Sequence, residues 1–154
     1  MENRLEILRA AVDKLIYENR PAESRYFISH LYGVSRFCAL LAIRRGLNAE
    51  LAAACGMLHD IYQVTAGVMK KHAVKGAAQA KIVLEGTKAY TDGEISVITH
   101  AISRHGEKRS VHGPYDELLK DADVMDHCFG DPDYPVSEKE MVRYNNLLTE
   151  LGCR

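Results

Sequence analysis

Apolar residues recur along much of this chain at steps of three and four positions, the spacing that places side chains on one face of a helix. Leu5, Leu8, Val12 and Ile16 form the first such stripe. Later segments repeat the pattern, and none shows the alternation of β-branched residues that a strand requires. The predicted helices cover residues 2–18, 22–45, 50–62, 72–85, 91–105, 116–128 and 137–151. The sequence therefore predicts an all-α, compact bundle of about six to eight helices.

Residues typical of helix N-termini support these boundaries. Asn48 is a favourable N-cap, and Thr91 with Glu94 has the spacing of a capping box. Ser137 with Glu140 has the same spacing ahead of the last helix. The two prolines of GDPDYPV separate that helix from the rest, so we expect it to pack at the periphery.

The composition is that of an ordinary globular domain, and it narrows the choice of partners. Hydrophobic residues make up 47% and charged residues 27% of the 154 positions, with a formal net charge of −1. This charge supplies no basic field for holding nucleic acid, so we expect no nucleic-acid partner. The length is that of one domain with its own core.

The cysteines and the N-terminal residues indicate a cellular compartment. Cys38, Cys55, Cys128 and Cys153 are too far apart for a CxxC clip or a dense disulfide framework, so they are predicted to be reduced thiols. No run approaches the about 20 apolar residues that span a bilayer, and the charged N-terminus lacks the apolar segment of a signal peptide. We expect a cytoplasmic protein without a membrane partner. The amphipathic terminal helices could support a homodimer or simply cover the core.

Three histidines lie on the apolar stripes of three different predicted helices. His30 shares a stripe with Val34 and Leu41, and His59 and His105 have similar apolar neighbours. A single histidine in such a position is more often a core residue with satisfied hydrogen bonds. Three of them together with carboxylates favour a metal site, because unpaired ionisable groups are expensive to bury and helix bundles build such sites from facing helices.

Two carboxylates are the best candidates to join these histidines. Asp60 directly follows His59, and the segment KDADVMDH offers Asp121 and Asp123. The last two are about 200° apart on a helix and cannot face one site. Asp123 shares its stripe with Leu119, so Asp121 is assigned to solvent or to a position behind the ligands. Mixed His and Asp ligands without thiolates suit a hydrolytic divalent ion such as Mn, Fe, Ni, Co or Zn.

The order and spacing of these residues resemble the HD superfamily, helical metal-dependent phosphohydrolases with a distant His, an adjacent His-Asp pair and a late Asp. The matching segments are SRYFISHLYGVSRF with His30, AAACGMLHDIY with His59 and Asp60, and ELLKDADVMDH with Asp123. The resemblance covers about residues 22–128 of a single HD-type domain spanning 1–154. It leaves helix 1 and helix 137–151 as additions.

The resemblance implies that one divalent ion is held by four side chains: His30, His59, Asp60 and Asp123. His72 in KKHAVKGAAQA and His105 in AISRHGEK match the two histidines with which some members bind a second ion. Asp60 would then bridge the two ions. No G-Y-P signature follows His105, which argues against the cyclic-di-GMP phosphodiesterase branch.

The implied activity is that of a phosphomonoesterase or phosphodiesterase acting on a nucleotide or another small phosphorylated metabolite. A divalent ion lowers the pKa of a bound water to about 7, so His59 and Asp60 are the catalytic pair through the water that the metal activates. Candidate cations for the substrate phosphate flank the predicted ligands: Arg25, Lys75, Arg104, Lys108 and Arg109. Lys75 and Arg109 are favoured because each follows a ligand histidine by about one turn, although each cation could instead be solvated surface charge.

The remaining histidines are not predicted ligands. His127 follows Asp123 at i+4 and could orient that carboxylate. His100 lies about 140° from His105 around the same helix, and His112 falls in a loop rich in glycine and proline.

Two other functions remain open at this point. A catalytically silent HD-type helical module would bind a nucleotide or a protein partner and keep the metal for stability. A bundle with a structural zinc or core histidines would respond to chelation only through its melting temperature. We expect the enzyme, because a pure scaffold does not need an inward cluster of histidines and aspartates.

Overall fold

The computed structural model describes residues 3–154, and this part of the chain contains eight helices and no strand. The helices are α1 (Arg4–Asn19), α2 (Ser24–Arg45), α3 (Ala49–Leu58), α4 (Ile61–Ala66), α5 (His72–Thr87), α6 (Asp92–Arg104), α7 (Pro114–Gly130) and α8 (Met141–Glu150). The all-α prediction and the expected number of helices are confirmed.

The N-terminal caps expected for α3 and α6 both form, and α2 ends at a glycine. The side chain of Asn48 accepts a hydrogen bond from the amide of Leu51 at the start of α3. Thr91 and Glu94 form a reciprocal capping box ahead of α6. Gly46 ends α2 at a φ of 70°, a left-handed conformation that glycine adopts without strain.

The single helix predicted over residues 50–62 is wrong, because α3 and α4 are separated by a turn at His59 and Asp60. The ring Nδ1 of His59 lies 2.8 Å from the carbonyl oxygen of Gly56. In an uninterrupted helix that carbonyl accepts from the amide of residue 60. The imidazole competes for this acceptor, and the turn places both polar side chains at the end of α3.

The last helix begins later than the predicted start at residue 137, because the Ser137–Glu140 pair forms a turn instead of a first helical turn. The Ser137 hydroxyl donates to Glu140 Oε2, and the backbone amide of Glu140 donates to the Ser137 carbonyl. The Glu140 side chain is buried and points toward α7, where it contacts His127. α8 follows only at Met141.

α2 lies at the centre of the bundle and packs against α1, α3 and α7. α5 and α6 form a second packed pair, and α8 covers the outer side of α7. By length and mean hydropathy alone, α2 is the one described helix that could cross a bilayer, a test that core helices of globular proteins also pass. Leu31, Val34 and Leu41 on α2 are fully buried in the core, so packing within the bundle accounts for its apolar character.

A network of buried charges fixes the loop 105–113 to α7 and α8. Arg143 of α8 donates to the carbonyl oxygens of Lys108 and Ser110, and its guanidinium also contacts Glu117 and Asp121 of α7. Lys120 is fully buried and donates to the Ser110 carbonyl, to Glu117 and to His112 Nδ1. Such a network holds the loop only while every charge keeps its partner.

Asp121 is neither a solvent-exposed residue nor a neighbour of the predicted ligands, contrary to both expectations. Its two carboxylate oxygens accept from Arg143 and from Arg45 of α2, which also pairs with Glu150 of α8. The sequence gives no sign of this role, because both partners of Asp121 come from distant parts of the chain. Asp121 therefore ties α2, α7 and α8 together.

Gly56 allows the backbones of α2 and α3 to touch, and we expect its replacement by alanine to destabilise the fold. A Cβ at Gly56 would lie 2.6 Å from the backbone nitrogen and Cα of Ser35, which cannot rotate away. Gly56→Ala should lower the free energy of unfolding by about 1–3 kcal/mol, measured by urea denaturation. Gly86→Ala is the control, since a Cβ there meets nothing within 4 Å and should be neutral or stabilising. Equal effects of the two substitutions would contradict this account.

Candidate metal centre

The structure brings all six predicted metal ligands into one cluster, in which five residues are buried and His72 is half-buried. They come from five elements: His30 from α2, His59 and Asp60 from the α3–α4 turn, His72 from the start of α5, His105 from the end of α6 and Asp123 from α7. These residues and His127 form four groups of three residues each. Within every group, the three ligand atoms lie within 4.8 Å of one another.

One half of the cluster is formed by the four signature residues. The Nε2 atoms of His30 and His59 are 3.1 Å apart, and each lies 3.4 Å from Asp60 Oδ2 and 3.6 Å from Asp123 Oδ1. Ligands bound at about 2.1 Å are about 3.0 Å apart in an octahedron and about 3.4 Å apart in a tetrahedron. The observed spacings are therefore those of donor atoms around one ion.

The other half of the cluster faces the second oxygen of Asp60. Oδ1 of Asp60 lies 3.5 Å from His72 Nε2 and 3.4 Å from His105 Nε2, and the two imidazole nitrogens are 3.1 Å apart. The two oxygens of one carboxylate thus face two different pairs of histidines. This is the arrangement that a carboxylate bridging two ions requires.

The hydrogen bonds of the ligand histidines fix which ring nitrogen faces the cluster. In each ring, Nδ1 lies 2.7–2.8 Å from an oxygen: His30 from Asp126 Oδ2, His59 from Gly56 O, His72 from Met69 O and His105 from Ile102 O. A backbone carbonyl only accepts, so Nδ1 of the last three rings carries a proton and Nε2 faces the cluster, with a lone pair when the ring is neutral. Two such lone pairs 3.1 Å apart repel each other unless a proton or a metal ion lies between them. Histidines that ligate metals are oriented in this way by hydrogen bonds at the other nitrogen.

Two carboxylate oxygens in the cluster lack a partner. Asp60 Oδ1 and Asp123 Oδ1 are buried and make no hydrogen bond within residues 3–154. A buried anionic oxygen without a donor or a cation is destabilising by several kcal/mol. Each of these oxygens faces histidine Nε2 atoms at 3.4–3.6 Å. The residues therefore fit a divalent cation, which would satisfy the oxygens and the histidine lone pairs at once.

The charges of the cluster shift the pKa values of its members. Full burial disfavours the charged form of His59, but the negative charges of Asp60 and Asp123 outweigh burial and raise the pKa of His59 to about 10. Burial likewise opposes ionisation of the two carboxyls, yet His59 beside Asp60 and Lys108 beside Asp123 hold both pKa values well below the usual range. The cluster therefore keeps its carboxylates anionic and attracts positive charge.

Asp126 is a contributor that the sequence reasoning missed. Its Oδ2 accepts from His30 Nδ1 at 2.7 Å, across 96 positions of the chain. The approach depends on Gly33, one turn after His30, because a Cβ there would lie 2.0 Å from Asp126 Oδ1. The sequence does contain this aspartate three positions after Asp123. Its contact with His30 is evident only once the packing of α2 against α7 is known.

Five of the six ligands, all but His59, line a small cavity of about 140 Å³ that opens to the surface. Residues outside the predicted ligand set complete its wall: Tyr26, Gln63, Met69, Lys108, His127, Lys139 and Glu140. Tyr26 lies parallel to the His30 ring at a centroid distance of 5.8 Å. The cavity is large enough for a phosphoryl group and too small for a whole nucleotide.

Lys108 is the buried cation of this cavity. It is 8% exposed, and its Nζ lies 2.6 Å from Asp123 Oδ2 and 2.8 Å from the carbonyl oxygen of His105. In the sequence, only its position three residues after His105 indicated a place near the metal ligands. Lys108 thus satisfies the outer oxygen of Asp123 and brings positive charge to the cavity wall.

The other predicted substrate cations do not line the cavity. Arg25 is exposed on α2, and Lys75 lies over the Tyr62 ring with its Nζ 3.3 Å from the hydroxyl. Arg104 pairs with a neighbouring glutamate, and Arg109 lies 3.3 Å from Glu138 at the surface. Their roles in substrate binding stay predictions.

His127 lies where it can orient Asp123. Its Nε2 is 3.5 Å from Asp123 Oδ1, its Nδ1 is 2.8 Å from Glu140 Oε1, and its ring is parallel to that of His30. With His30 and Asp123 it also forms a group that could hold an ion. His100 and His112 lie outside the cavity, where they contact Asp116 and Lys120.

Comparison with known families agrees with this geometry. Residues 27–128 match the family model of the HD domain. The chain belongs to the HD-domain family. All six predicted ligands of this HD domain lie within the matched region, whereas α1 and α8 lie outside it.

One curated relative of this HD domain is Ribonuclease Y of Geobacter sulfurreducens. The two are 30% identical over 120 residues, which make up 78% of this chain. The chain spans only 21% of the length of that relative, so the similarity concerns one part of a larger protein. No solved structure matches this chain.

The raised pKa of His59 predicts how metal affinity depends on pH. Without an ion, His59 is protonated at neutral pH, and a metal must displace its Nε2 proton. We expect Mn²⁺ affinity to rise steadily between about pH 6 and pH 8, with release of about one proton per ion. Calorimetry in two buffers of different ionisation enthalpy measures both quantities. His100→Ala should change neither, and an affinity that does not vary over this range would contradict the assignment.

Proposed function

We propose that this HD domain is a metal-dependent phosphohydrolase, a phosphomonoesterase or phosphodiesterase that acts on a nucleotide or another small phosphorylated metabolite. The observation that carries the proposal is the pair of buried oxygens on Asp60 and Asp123 that find no hydrogen-bond partner within residues 3–154 and face the Nε2 atoms of the cluster. Membership of the HD-domain family supports it, because these domains bind divalent metals and are generally hydrolases.

His30, His59, Asp60 and Asp123 would hold the first ion, and His72 and His105 would hold a second with Asp60 between them. A bound divalent ion such as Mn, Fe, Ni, Co or Zn supplies a water of lowered pKa and polarises a phosphoryl oxygen. The protein fixes the donor atoms in advance, because the Nδ1 hydrogen bonds of the four histidines lock their rings. Preorganised groups of this kind need no rearrangement during the reaction.

Lys108 and Tyr26 shape the place where the phosphoryl group would bind. Lys108 holds Asp123 by an ion pair and contributes a positive charge to the wall of the cavity. Tyr26 and Met69 limit the space on the opposite side, so the reacting group is partly shielded from water. Shielding strengthens the attraction between the substrate phosphate and these positive groups.

Because one relative is a ribonuclease, phosphodiesters such as RNA are also candidate substrates. Our expectation that no nucleic acid binds rests on the net charge of −1. A cytoplasmic location, a small phosphorylated substrate, the lack of a membrane partner and a homodimer are likewise proposals. A catalytically silent module that binds a nucleotide or a protein partner is the alternative. It is less favoured, because such a module would have no use for an open cavity lined by five of the six ligand side chains.

We expect substitution of His59 or Asp60, the adjacent His-Asp pair, to remove both the metal and the activity. His59→Ala and Asp60→Ala should lower bound metal by at least tenfold and hydrolysis by about a hundredfold or more, because each removes donor atoms of the ion. Metal content is read by elemental analysis of the purified protein. Activity is read with p-nitrophenyl phosphate, bis(p-nitrophenyl) phosphate, nucleotides and a short RNA in the presence of Mn, Co, Ni, Fe or Mg.

His100→Ala is the matched control, since His100 is an exposed histidine outside the cavity and its imidazole pairs with Asp116. It should keep the metal and the activity of the unmodified protein. The enzyme proposal fails if metal-loaded protein hydrolyses none of these compounds, or if His59→Ala and Asp60→Ala leave metal content and activity unchanged. Metal binding without hydrolysis would favour the silent module.

A further inference from the structure

A second cavity adjoins the metal cavity on the side of α8. It has a volume of about 600 Å³ and lies between the loop 105–113 and the start of α8. Lys108 and Lys139 line both cavities, so the two spaces meet at these side chains. The volume is in the range of pockets that bind small molecules, about 300–1,000 Å³. The third neighbouring space, beside Tyr26 and Gln63, holds only about 260 Å³.

The walls of the second cavity combine apolar surface with positive charge. Val111, Met141 and Val142 expose 83%, 41% and 70% of their surface around it. Lys139 is exposed on the shared rim and forms no hydrogen bond or ion pair with residues 3–154. Arg109 is nearby, and its contact with Glu138 joins two exposed side chains, which is a weak interaction in water.

The acidic residues of this cavity do not oppose an anion strongly. Glu117 is engaged by Lys120 and Arg143, and these partners outweigh burial and hold its pKa at about 2. Its charge is therefore already compensated. Glu138 is 94% exposed and can turn toward solvent. Lys139 is the unengaged charge at the junction of the two cavities.

We propose that this second cavity binds the part of the substrate that lies beyond the scissile phosphoryl group, and that Lys139 pairs with a second phosphate there. The inference rests on the proposed function, because the metal cavity is assigned to the reacting phosphoryl group. The substrate class is a compound of nucleotide size with at least two phosphates and an apolar or planar portion. The apolar portion lies against Val111, Met141 and Val142.

The position of this cavity in the chain supports a role in specificity. The metal ligands lie within residues 27–128, the region shared with the HD-domain family, whereas Glu138, Lys139, Met141 and Val142 lie outside it. Arg143 of α8 fixes the backbone of Lys108, so the same segment also positions the cation at the boundary. The C-terminal part of the chain thus selects the substrate while the family core performs the chemistry.

Three probes separate the contributions to binding: inorganic phosphate, AMP and ADP. Phosphate fills only the metal cavity, AMP adds a nucleoside, and ADP adds a second phosphate. Calorimetry with Mn²⁺-loaded protein measures each affinity. In Lys139→Ala we expect the ratio of ADP affinity to AMP affinity to fall about tenfold, because a charge-assisted contact is lost, with phosphate binding unchanged.

Two further variants make the test specific. Lys81→Ala removes one positive charge from an exposed site on α5, where Lys81 faces Glu85, and it should leave all three affinities unchanged. Val142→Glu adds bulk and negative charge inside the second cavity. It should weaken AMP and ADP at least fivefold and leave phosphate binding unchanged. Both residues are exposed, so neither substitution disturbs the core.

The proposal is overturned if Lys139→Ala and Val142→Glu leave the ADP-to-AMP ratio and both affinities unchanged. It is also overturned if Lys139→Ala weakens phosphate as much as ADP, because Lys139 would then act within the metal cavity. Failure of the enzyme proposal is distinguishable. If the protein binds ADP through Lys139 but hydrolyses no ester, the enzyme proposal fails and the second cavity remains a binding site. If the protein hydrolyses p-nitrophenyl phosphate with a metal but Lys139→Ala does not change ADP binding, only the proposal for the second cavity fails.

Discussion

The structure depends on the burial of two carboxylates whose inner oxygens have no hydrogen-bond donor in the part of the chain that the structure describes. Asp60 and Asp123 place one such oxygen each among the imidazole Nε2 atoms, which present lone pairs when the rings are neutral. Anions and lone pairs that face one another repel, and only a positive charge between them makes the arrangement favourable. Several irregular features of the fold serve this constraint. They include the turn between α3 and α4, the glycine that admits Asp126, and the backbone carbonyls that hold the histidine rings.

The outer ring of the site is built by charge pairing between distant segments. Lys108 satisfies the outer oxygen of Asp123, and its own backbone is held by Arg143 from α8. Glu140 precedes α8 and holds His127, which faces Asp123 from the other side. The C-terminal segment therefore acts on one metal ligand from two directions. Buried networks of this kind give a single arrangement when every member is satisfied.

Two parts of the chain contribute different features to the site. The region that matches the HD-domain family supplies the ligand atoms and the core on which they are fixed. The C-terminal segment supplies part of the cavity wall and the boundary between the small metal cavity and its larger neighbour. Reaction chemistry needs donor atoms at fixed distances, which a packed core provides. Substrate choice needs a surface that can vary without disturbing those distances, and an added peripheral helix provides one.

The sequence by itself determined the helical class, two of the helix caps and the six residues that form the cluster. Periodicity and capping are properties of nearby positions, and the order and spacing of the motif residues can be read along the chain. It did not determine the break at His59, where a side chain competes with the backbone for the Gly56 carbonyl. It also did not identify Lys108 as the cation of the metal cavity among five candidates, the others being Arg25, Lys75, Arg104 and Arg109. A position one turn from a ligand does not determine the direction in which a long side chain points. The positions of Asp126, Glu140 and Lys139 at the site were decided only by the tertiary structure. They reach the site through the packing of α2, α7 and the segment before α8, and no local pattern encodes contacts between segments so far apart.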